Sequence, residues 1–247
     1  MTVLMPDWPA PENVHAAISS RKGGLSVSPW DELNLAFHVG DDAGIVEKNW
    51  QILSEQLQLS VPPQLLRQVH GNAIVLADTD GMIRTGDGCY TNRVGPVCTV
   101  MTADCLPLLI CNMTGTEVAA IHAGWRGLAS GIVDQAIRQF DSHASELLVY
   151  LGPAISQPNF EVGGDVLDAF LAKGAPNMRR QIRDCFVRMD DLHWKADLYS
   201  LAKIALNSAG VAQIYGGDFC TYEDVEHFYS YRRDGQTGRM ASLIWIS

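Results

Sequence analysis

The middle of the chain contains three apolar, β-leaning segments that follow one another with only short polar breaks. They span residues 97–102, 106–111 and 117–121, and turn-forming residues at 112–115 separate the second from the third. Strands that are adjacent in sequence and joined by tight turns favour antiparallel or mixed sheets. Apolar residues then recur at helical spacing from Leu128 to Phe140, which predicts a helix packed on the sheet. We therefore expect an α+β fold with helices outside the sheets.

Three further local patterns extend this prediction. Asp41-Asp42 precedes apolar residues at helical spacing and predicts a capped helix. Short β-leaning segments at 65–70 and 73–77 flank Gly71-Asn72 and suggest a hairpin. The segment around 229–233 is expected to be a strand near the end of the chain.

Length and charge limit the classes of partner. The 247 residues suit a single domain over 1–247. A net charge of -10 argues against nucleic acid or an acidic membrane surface as a partner. The apolar runs are shorter than the ~20 residues that cross a bilayer, and the first residues lack a signal-peptide pattern. We expect a cytoplasmic protein with reduced cysteines.

Three side chains that can bind metal lie at the ends of predicted strands. His70 ends one apolar segment, Cys105 lies between two others, and His122 ends a third. Two imidazoles and one thiolate leave a coordination position free, as in catalytic zinc sites, whereas structural zinc sites use four protein ligands. Asp104 before Cys105 interrupts an apolar run, which is unusual without a functional reason.

Other interpretations of these residues are open. Cys105 and His122 could form a thiolate–imidazole nucleophile pair, although such a pair does not require His70. Two histidines and a cysteine also form the blue-copper set when a weak axial methionine is added, and Met101 is close in sequence. Seven histidines without a His-x-His pair cannot build a multicopper cluster.

Several arginines are candidates for anion binding. Arg126 lies in the Gly-Trp-Arg-Gly turn that opens the helix after His122, where free backbone N–H groups attract anions. Arg21 borders a glycine turn, and Arg232 lies among aromatic residues. Asp87 in Gly86-Asp87-Gly88 could be only a turn residue. Cys220 is left unassigned.

With these residues in hand, the chain resembles the YfiH-like, laccase-domain family, also labelled polyphenol oxidase or peptidoglycan editing factor. The likeness runs nearly end to end and is most specific in two motifs, Thr102-Ala103-Asp104-Cys105 and His122-Ala123-Gly124-Trp125-Arg126-Gly127. Further matching segments are 20–24, 33–35, 39–42, 68–71, 151–155, 228–234 and 237–239.

The resemblance implies a mixed β-sandwich with helices on both outer faces, in α/β/β/α layers. It implies zinc, with copper also possible, held by His70, Cys105 and His122, which would then be the catalytic residues together with Asp104. It implies purine nucleosides and phosphate as substrates: phosphorolysis of adenosine, inosine and methylthioadenosine, and deamination of adenosine.

Asp104 is the carboxylate nearest to the ligands for the proton transfers of deamination. Arg21, Arg126 and Arg232 are the expected substrate or phosphate residues. Two alternatives stay open: a copper-dependent polyphenol oxidase, and a cysteine hydrolase or editing factor in peptidoglycan precursor metabolism.

Overall fold

The computed structural model describes residues 3–174 and 176–247. Its strands are β1 (Val3–Leu4), β2 (Val14–Ser19), β3 (Leu66–Arg67), β4 (Ile74–Leu76), β5 (Arg84–Thr85), β6 (Gly88–Thr91), β7 (Cys98–Thr102), β8 (Leu106–Asn112), β9 (Val118–Ala123), β10 (Leu147–Leu151), β11 (Glu161–Gly163), β12 (Phe186–Arg188), β13 (His193–Ala196), β14 (Gln213–Gly216) and β15 (Met240–Ile246). Its α-helices are α1 (Ala43–Gln56), α2 (Trp125–Ala129), α3 (Ile132–Ile137), α4 (Gly164–Lys173), α5 (Arg179–Asp184), α6 (Leu198–Ser208) and α7 (Tyr231–Asp234). Short 3-10 helices cover Ala144–Glu146, Gln157–Asn159 and Pro176–Met178.

Two sheets form the centre of the fold. A mixed sheet has the strand order β14-β10-β8-β9-β6-β4, and an antiparallel sheet has the order β1-β2-β15-β7. Apolar side chains from both sheets pack in one shared cluster, for example Ile18 and Val100 with Leu109 and Val118. The sheets therefore lie face to face as a sandwich.

Helices cover the outer face of each sheet. The other face of the mixed sheet packs against α2, α3, α4 and α6. The other face of the antiparallel sheet packs against α1 through Val46, Trp50 and Leu53. The predicted α+β fold in α/β/β/α layers is confirmed. Among the described residues, no helix combines the length and apolar character that crossing a bilayer demands.

The local predictions have mixed outcomes. Helix α1 is confirmed, and the Asp42 side chain accepts a hydrogen bond from the backbone N–H of Ile45 at 3.0 Å. The helix expected from Leu128 to Phe140 is divided into α2 and α3, because Gly131 takes the left-handed conformation with φ 87°. Both outcomes follow from residues that cap or interrupt a helix.

Two local predictions are wrong. The hairpin around Gly71 does not form, because β3 pairs with β5 whereas β4 pairs with β6. The segment around 229–233 forms helix α7 instead of a strand. The Ser230 side chain accepts from the backbone N–H of Arg233 and caps this helix.

Candidate metal centre and active site

The three predicted ligands converge in the structure. The candidate ligand atoms of His70, Cys105 and His122 all lie within 4.8 Å of one another. His122 is on β9 opposite Pro107 of β8, and Cys105 directly precedes β8. The ring of His70 approaches that of His122 edge-on, with centroids 4.8 Å apart. Residues separated by up to 52 positions thus form one cluster of two nitrogen donors and one sulfur donor.

The buried carboxylate of Asp87 holds two of these ligands. Its Oδ1 lies 2.9 Å from His122 Nδ1 and accepts the backbone N–H of His70 at 2.8 Å. Its Oδ2 accepts the backbone N–H of Gly71 at 2.7 Å. These bonds fix the turn in which His70 has a φ of 59°. Because an ionised carboxylate can only accept, Nδ1 of His122 carries the proton and Nε2 is left for a metal bond.

The position of Asp87 depends on the close fit of the next strand. The backbone N–H of His122 donates to the Asp87 carbonyl at 2.7 Å, where β6 begins to pair with β9. A Cβ atom at Gly88 would lie 2.6 Å from Ile121 Cδ1 and 2.7 Å from Ile74 Cδ1. Glycine at 88 therefore allows β6 to lie between β9 and β4, which places the preceding residue, Asp87, in contact with His122 and His70.

The electrostatics of the cluster favour a thiolate. Burial alone would raise the pKa of the Cys105 thiol, but His122 and His70 beside it lower this pKa to about 6. Burial alone would lower the pKa of His122, but Cys105 and Asp87 raise it to about 9. The thiolate is the form of cysteine that binds metal or acts as a nucleophile, and the lowered pKa makes this form accessible.

The donor set and its surroundings fit a metal ion with an open position. Three protein ligands, two imidazoles and a thiolate, match the catalytic type of zinc site. Gly124 borders the cluster, and a Cβ there would lie 2.9 Å from Cys105 Sγ and 3.5 Å from His70 Cδ2. The same donors also suit copper, and Met101 lines the adjoining cavity. The residues support metal binding but do not select between the two metals.

A cavity of about 530 Å³ opens above the ligands. Besides the three ligands, its charged and aromatic lining residues are His38, Asp104, Phe160, Tyr231, Arg232 and Arg239. The lining therefore combines cationic and aromatic side chains beside the candidate metal ligands. A phosphorylated or aromatic polar substrate is compatible with this lining.

Asp104 lies in this cavity with both carboxylate oxygens engaged. Oδ1 accepts from the Thr221 hydroxyl at 2.7 Å, and Oδ2 accepts from the backbone N–H of Arg232 at 2.7 Å. The residue has a φ of 90°, which is unusual for a side chain other than glycine. Asp104 thereby ties the loop before β8 to the start of α7. Its expected part in proton transfer stays a prediction.

The structure brings only one of the three expected arginines to the cavity. Arg232 lines it, with its guanidinium donating to the Glu161 carbonyl at 2.7 Å. Arg21 is outside the lining, because its guanidinium donates to Asp31 and lies over the Tyr229 ring. Arg126 is exposed on α2, also outside the lining, with its guanidinium 4.4 Å from the centre of the Trp125 ring.

Sequence reasoning missed Arg239 and His38 and left Asp87 unassigned. Arg239 reaches the cavity because the following residue, Met240, pairs with Thr102 of β7. Segment 237–239, which matches the family pattern, was the one sequence signal that pointed to Arg239, but it does not reveal this strand pairing. Cys220 lies apart from the cavity lining, and its sulfur accepts from the Ser156 hydroxyl at 2.9 Å.

Comparisons with known proteins agree with this architecture. A family model described as multi-copper polyphenol oxidoreductase laccase matches residues 15–247. A protein from Pseudomonas aeruginosa named purine nucleoside phosphorylase is 48% identical over 98% of each chain. Purine nucleoside phosphorylase YfiH from Escherichia coli is 46% identical over 99% of this chain and 98% of its own.

Solved structures show the same fold. A Neisseria meningitidis protein of the family labelled DUF152 superposes with a TM-score of 0.94 at 42% identity, covering 100% of both chains. YlmD from Geobacillus stearothermophilus gives a TM-score of 0.88 at 29% identity, covering 96% of this chain and 93% of the other.

Proposed function

We propose that this chain, which belongs to the family described as multi-copper polyphenol oxidoreductase laccase, is a zinc-dependent purine nucleoside phosphorylase. The names of relatives that are 46–48% identical support phosphorolysis. The observation that carries the proposal is the cluster of His70, Cys105 and His122 beneath a cavity with cationic and aromatic walls. We propose a cytoplasmic location and a single domain over 1–247.

The proposed reaction exchanges a glycosidic bond for a phosphate ester. A phosphate oxygen forms a bond to C1′ of the ribose, the bond from C1′ to the purine nitrogen breaks, and the base leaves with the electron pair. The products are the free base, once protonated, and ribose 1-phosphate. A zinc ion on the three ligands would supply Lewis-acid polarisation at its open position.

The protein's own side chains account for substrate placement. Phe160 and Tyr231 offer aromatic surfaces to a purine ring, and Arg232 and Arg239 offer positive charge to phosphate. Gln68 is fixed at the wall, since its amide donates to the Met101 carbonyl at 2.8 Å and accepts the Met101 N–H at 2.8 Å. We propose adenosine, inosine and methylthioadenosine as substrates for phosphorolysis.

Deamination of adenosine is the second proposed activity of this site. It needs water and a group that transfers protons, and Asp104 is the cavity carboxylate next to Cys105 in sequence. Adenosine supplied without phosphate would yield inosine and ammonia. This activity would be measured separately from phosphorolysis.

The test uses protein stripped with a chelator and reloaded with zinc alone. Incubation with inosine and phosphate is expected to yield hypoxanthine and ribose 1-phosphate in proportion to bound zinc. Cys105→Ala should lose both zinc and activity, whereas Cys220→Ala, which changes a cysteine outside the cavity, should retain both. Absence of hypoxanthine from the zinc-loaded protein would contradict the proposal.

A copper-dependent polyphenol oxidase is the second candidate. It is favoured by the description of the matching family and by Met101, which lines the cavity beside the two histidines and the cysteine. Oxidation of phenols needs a redox-active metal, so the two candidates differ in the metal that supports turnover.

A further inference from the structure

Arg239 carries a charge that no carboxylate in residues 3–174 and 176–247 neutralises by a direct ion pair. Its Nη1 donates to the carbonyls of Thr237 and Gly238 at 2.9 and 2.8 Å. By contrast, Arg84 and Arg233 pair with Asp80 and Asp234, each at 2.7 Å. Arg239 is also partly buried, and burial lowers its pKa. Its guanidinium also lies 5.7 Å from the centre of the Tyr231 ring, which is not a full counter-charge. A desolvated cation without a carboxylate partner is costly unless it has an anion to bind.

The anionic groups of the cavity do not supply that partner. Cys105 and Asp104 stabilise the charge of Arg239 from a distance, but the carboxylate of Asp104 is bonded to Thr221 and to the backbone of Arg232. A metal ion on Cys105 would also offset much of the thiolate charge. An anionic ligand bound in the cavity would supply this negative charge.

The surroundings of Arg239 provide space for a small anion. His38, Tyr231 and Arg239 line both the 530 Å³ cavity and an adjoining hollow of about 320 Å³. They therefore form the wall that the two spaces share. Partial burial lowers the pKa of His38, and the charge of Arg239 lowers it further. The imidazole beside the guanidinium is therefore neutral and can donate one hydrogen bond.

The backbone that carries Arg239 is held rigidly. Its backbone N–H donates to the Asn34 side chain at 3.0 Å. A Cβ at the preceding Gly238 would lie 2.5 Å from Tyr229 Cζ, and Tyr229 is fully buried with its hydroxyl bonded to the Trp30 carbonyl at 2.6 Å. A guanidinium held in this way loses little freedom when it binds a ligand.

We propose that Arg239, assisted by His38, binds the phosphate that attacks the nucleoside, in place of the Arg21 and Arg126 expected from sequence. The inference rests on the proposed phosphorylase function. The planar fork of arginine matches two oxygens of a phosphate. Phosphate at this wall would lie in the cavity that the candidate metal ligands line.

The test measures binding of inorganic phosphate to zinc-loaded protein by calorimetry. Arg239→Gln should weaken this binding about tenfold or more, the effect of losing charge-assisted hydrogen bonds. Arg138→Gln removes the same charge from an exposed residue at the end of α3 and should leave binding unchanged. In phosphorolysis, Arg239→Gln should raise the KM for phosphate by a similar factor, with the KM for inosine changed less than about twofold.

Several outcomes would overturn the inference. These are an absence of phosphate binding to the unaltered protein, equal binding to the Arg239→Gln variant, and a loss confined to Arg126→Gln. Arg239-dependent binding of inosine 5′-monophosphate without binding of inorganic phosphate would also overturn it. If Arg239→Gln does not fold, Arg239→Lys keeps the charge but loses the fork, and phosphate binding as tight as in the unaltered protein would count against the proposal.

Failure of the proposed function has a different signature. Arg239-dependent phosphate binding without hypoxanthine formation would support the anion site and contradict phosphorolysis. Hypoxanthine formation with an unchanged KM for phosphate in Arg239→Gln would support phosphorolysis and contradict the anion site.

Discussion

The carboxylate of Asp87 contacts Nδ1 of His122 at 2.9 Å and accepts the backbone N–H of His70 at 2.8 Å. One buried side chain therefore orients two of the three candidate metal ligands. Partners of this kind keep a ligating imidazole in the correct tautomer and rotation. The relationship makes Asp87 a positioning residue whose loss should act on metal affinity.

Replacement of Asp87 by asparagine should weaken zinc binding about 10- to 100-fold. If the new amide nitrogen faces His122, Nδ1 becomes an acceptor and the ring proton moves to Nε2, the ligand atom. If it takes the place of Oδ2 instead, it meets the N–H groups of Val69 and Gly71. Competition with a chelating dye measures zinc affinity without reference to activity, and Asp168→Asn, at an exposed position of α4, is the control. Unchanged affinity in Asp87→Asn would refute the positioning role.

Replacement of Gly124 by alanine should displace Cys105 from the ligand cluster. The added Cβ would lie 2.9 Å from Sγ, so the thiol must move. Zinc affinity is expected to fall about tenfold, comparable with the loss of an orienting residue. Gly164→Ala is a matched control, because its Cβ would meet only Trp194 Nε1 at 3.8 Å. Equal zinc affinity in both variants would show that the site tolerates a side chain at 124.

Glu117 should contribute stability that depends on pH. Burial alone would raise its pKa, but hydrogen bonds from Ser142, Tyr90 and the Asp141 backbone hold the pKa below its ordinary value. A lowered folded pKa means that the contribution is present above the unfolded pKa of about 4.3. It is lost as pH falls through the folded pKa. Glu117→Gln should lower the free energy of unfolding by about 1–3 kcal/mol at pH 7.

Urea unfolding between pH 4 and pH 7.5 measures this effect. The difference in the free energy of unfolding between the unaltered protein and Glu117→Gln should become smaller as the pH is lowered. Glu47→Gln, on the exposed face of α1, should follow the unaltered protein throughout. A difference that stays constant with pH would show that the charge of Glu117 is not what stabilises the fold.

The sequence predicted site residues that neighbouring strands bring together, and it missed residues whose position depends on contacts between distant segments. Cys105 and His122 were recognisable because each lies at the end of a strand in one continuous β8–β9 pair. Arg239 was not recognisable from the sequence, since its position in the cavity wall depends on the pairing of β15 with β7, which are more than 130 residues apart. Arg21 lies outside the cavity lining because a carboxylate ten positions away, Asp31, accepts a hydrogen bond from its guanidinium.

The wrong prediction of a hairpin has the same cause, a contact between residues that are distant in sequence. Apolar periodicity predicted an α+β fold with helices outside the sheets, and the family resemblance implied the α/β/β/α layers. The predicted hairpin at Gly71 is wrong for a reason that periodicity does not reveal. The N–H groups of 69–71 are satisfied by Asp87, a contact between a turn and a distant carboxylate. Tertiary hydrogen bonds of this kind decide between turns that look equivalent in sequence.

The metal that supports turnover should separate the two candidate functions. Copper-loaded protein is expected to show a visible thiolate-to-copper absorption that disappears in Cys105→Ser, because the cluster contains one thiolate and two imidazoles. With seven histidines and no His-x-His pair, the chain lacks the ligands of a multicopper cluster, so phenol oxidation should be slow. Zinc-loaded, copper-free protein should cleave inosine in phosphate, since no electrons are transferred. Rapid phenol turnover with copper, together with no hypoxanthine from the zinc form, would instead establish the oxidase.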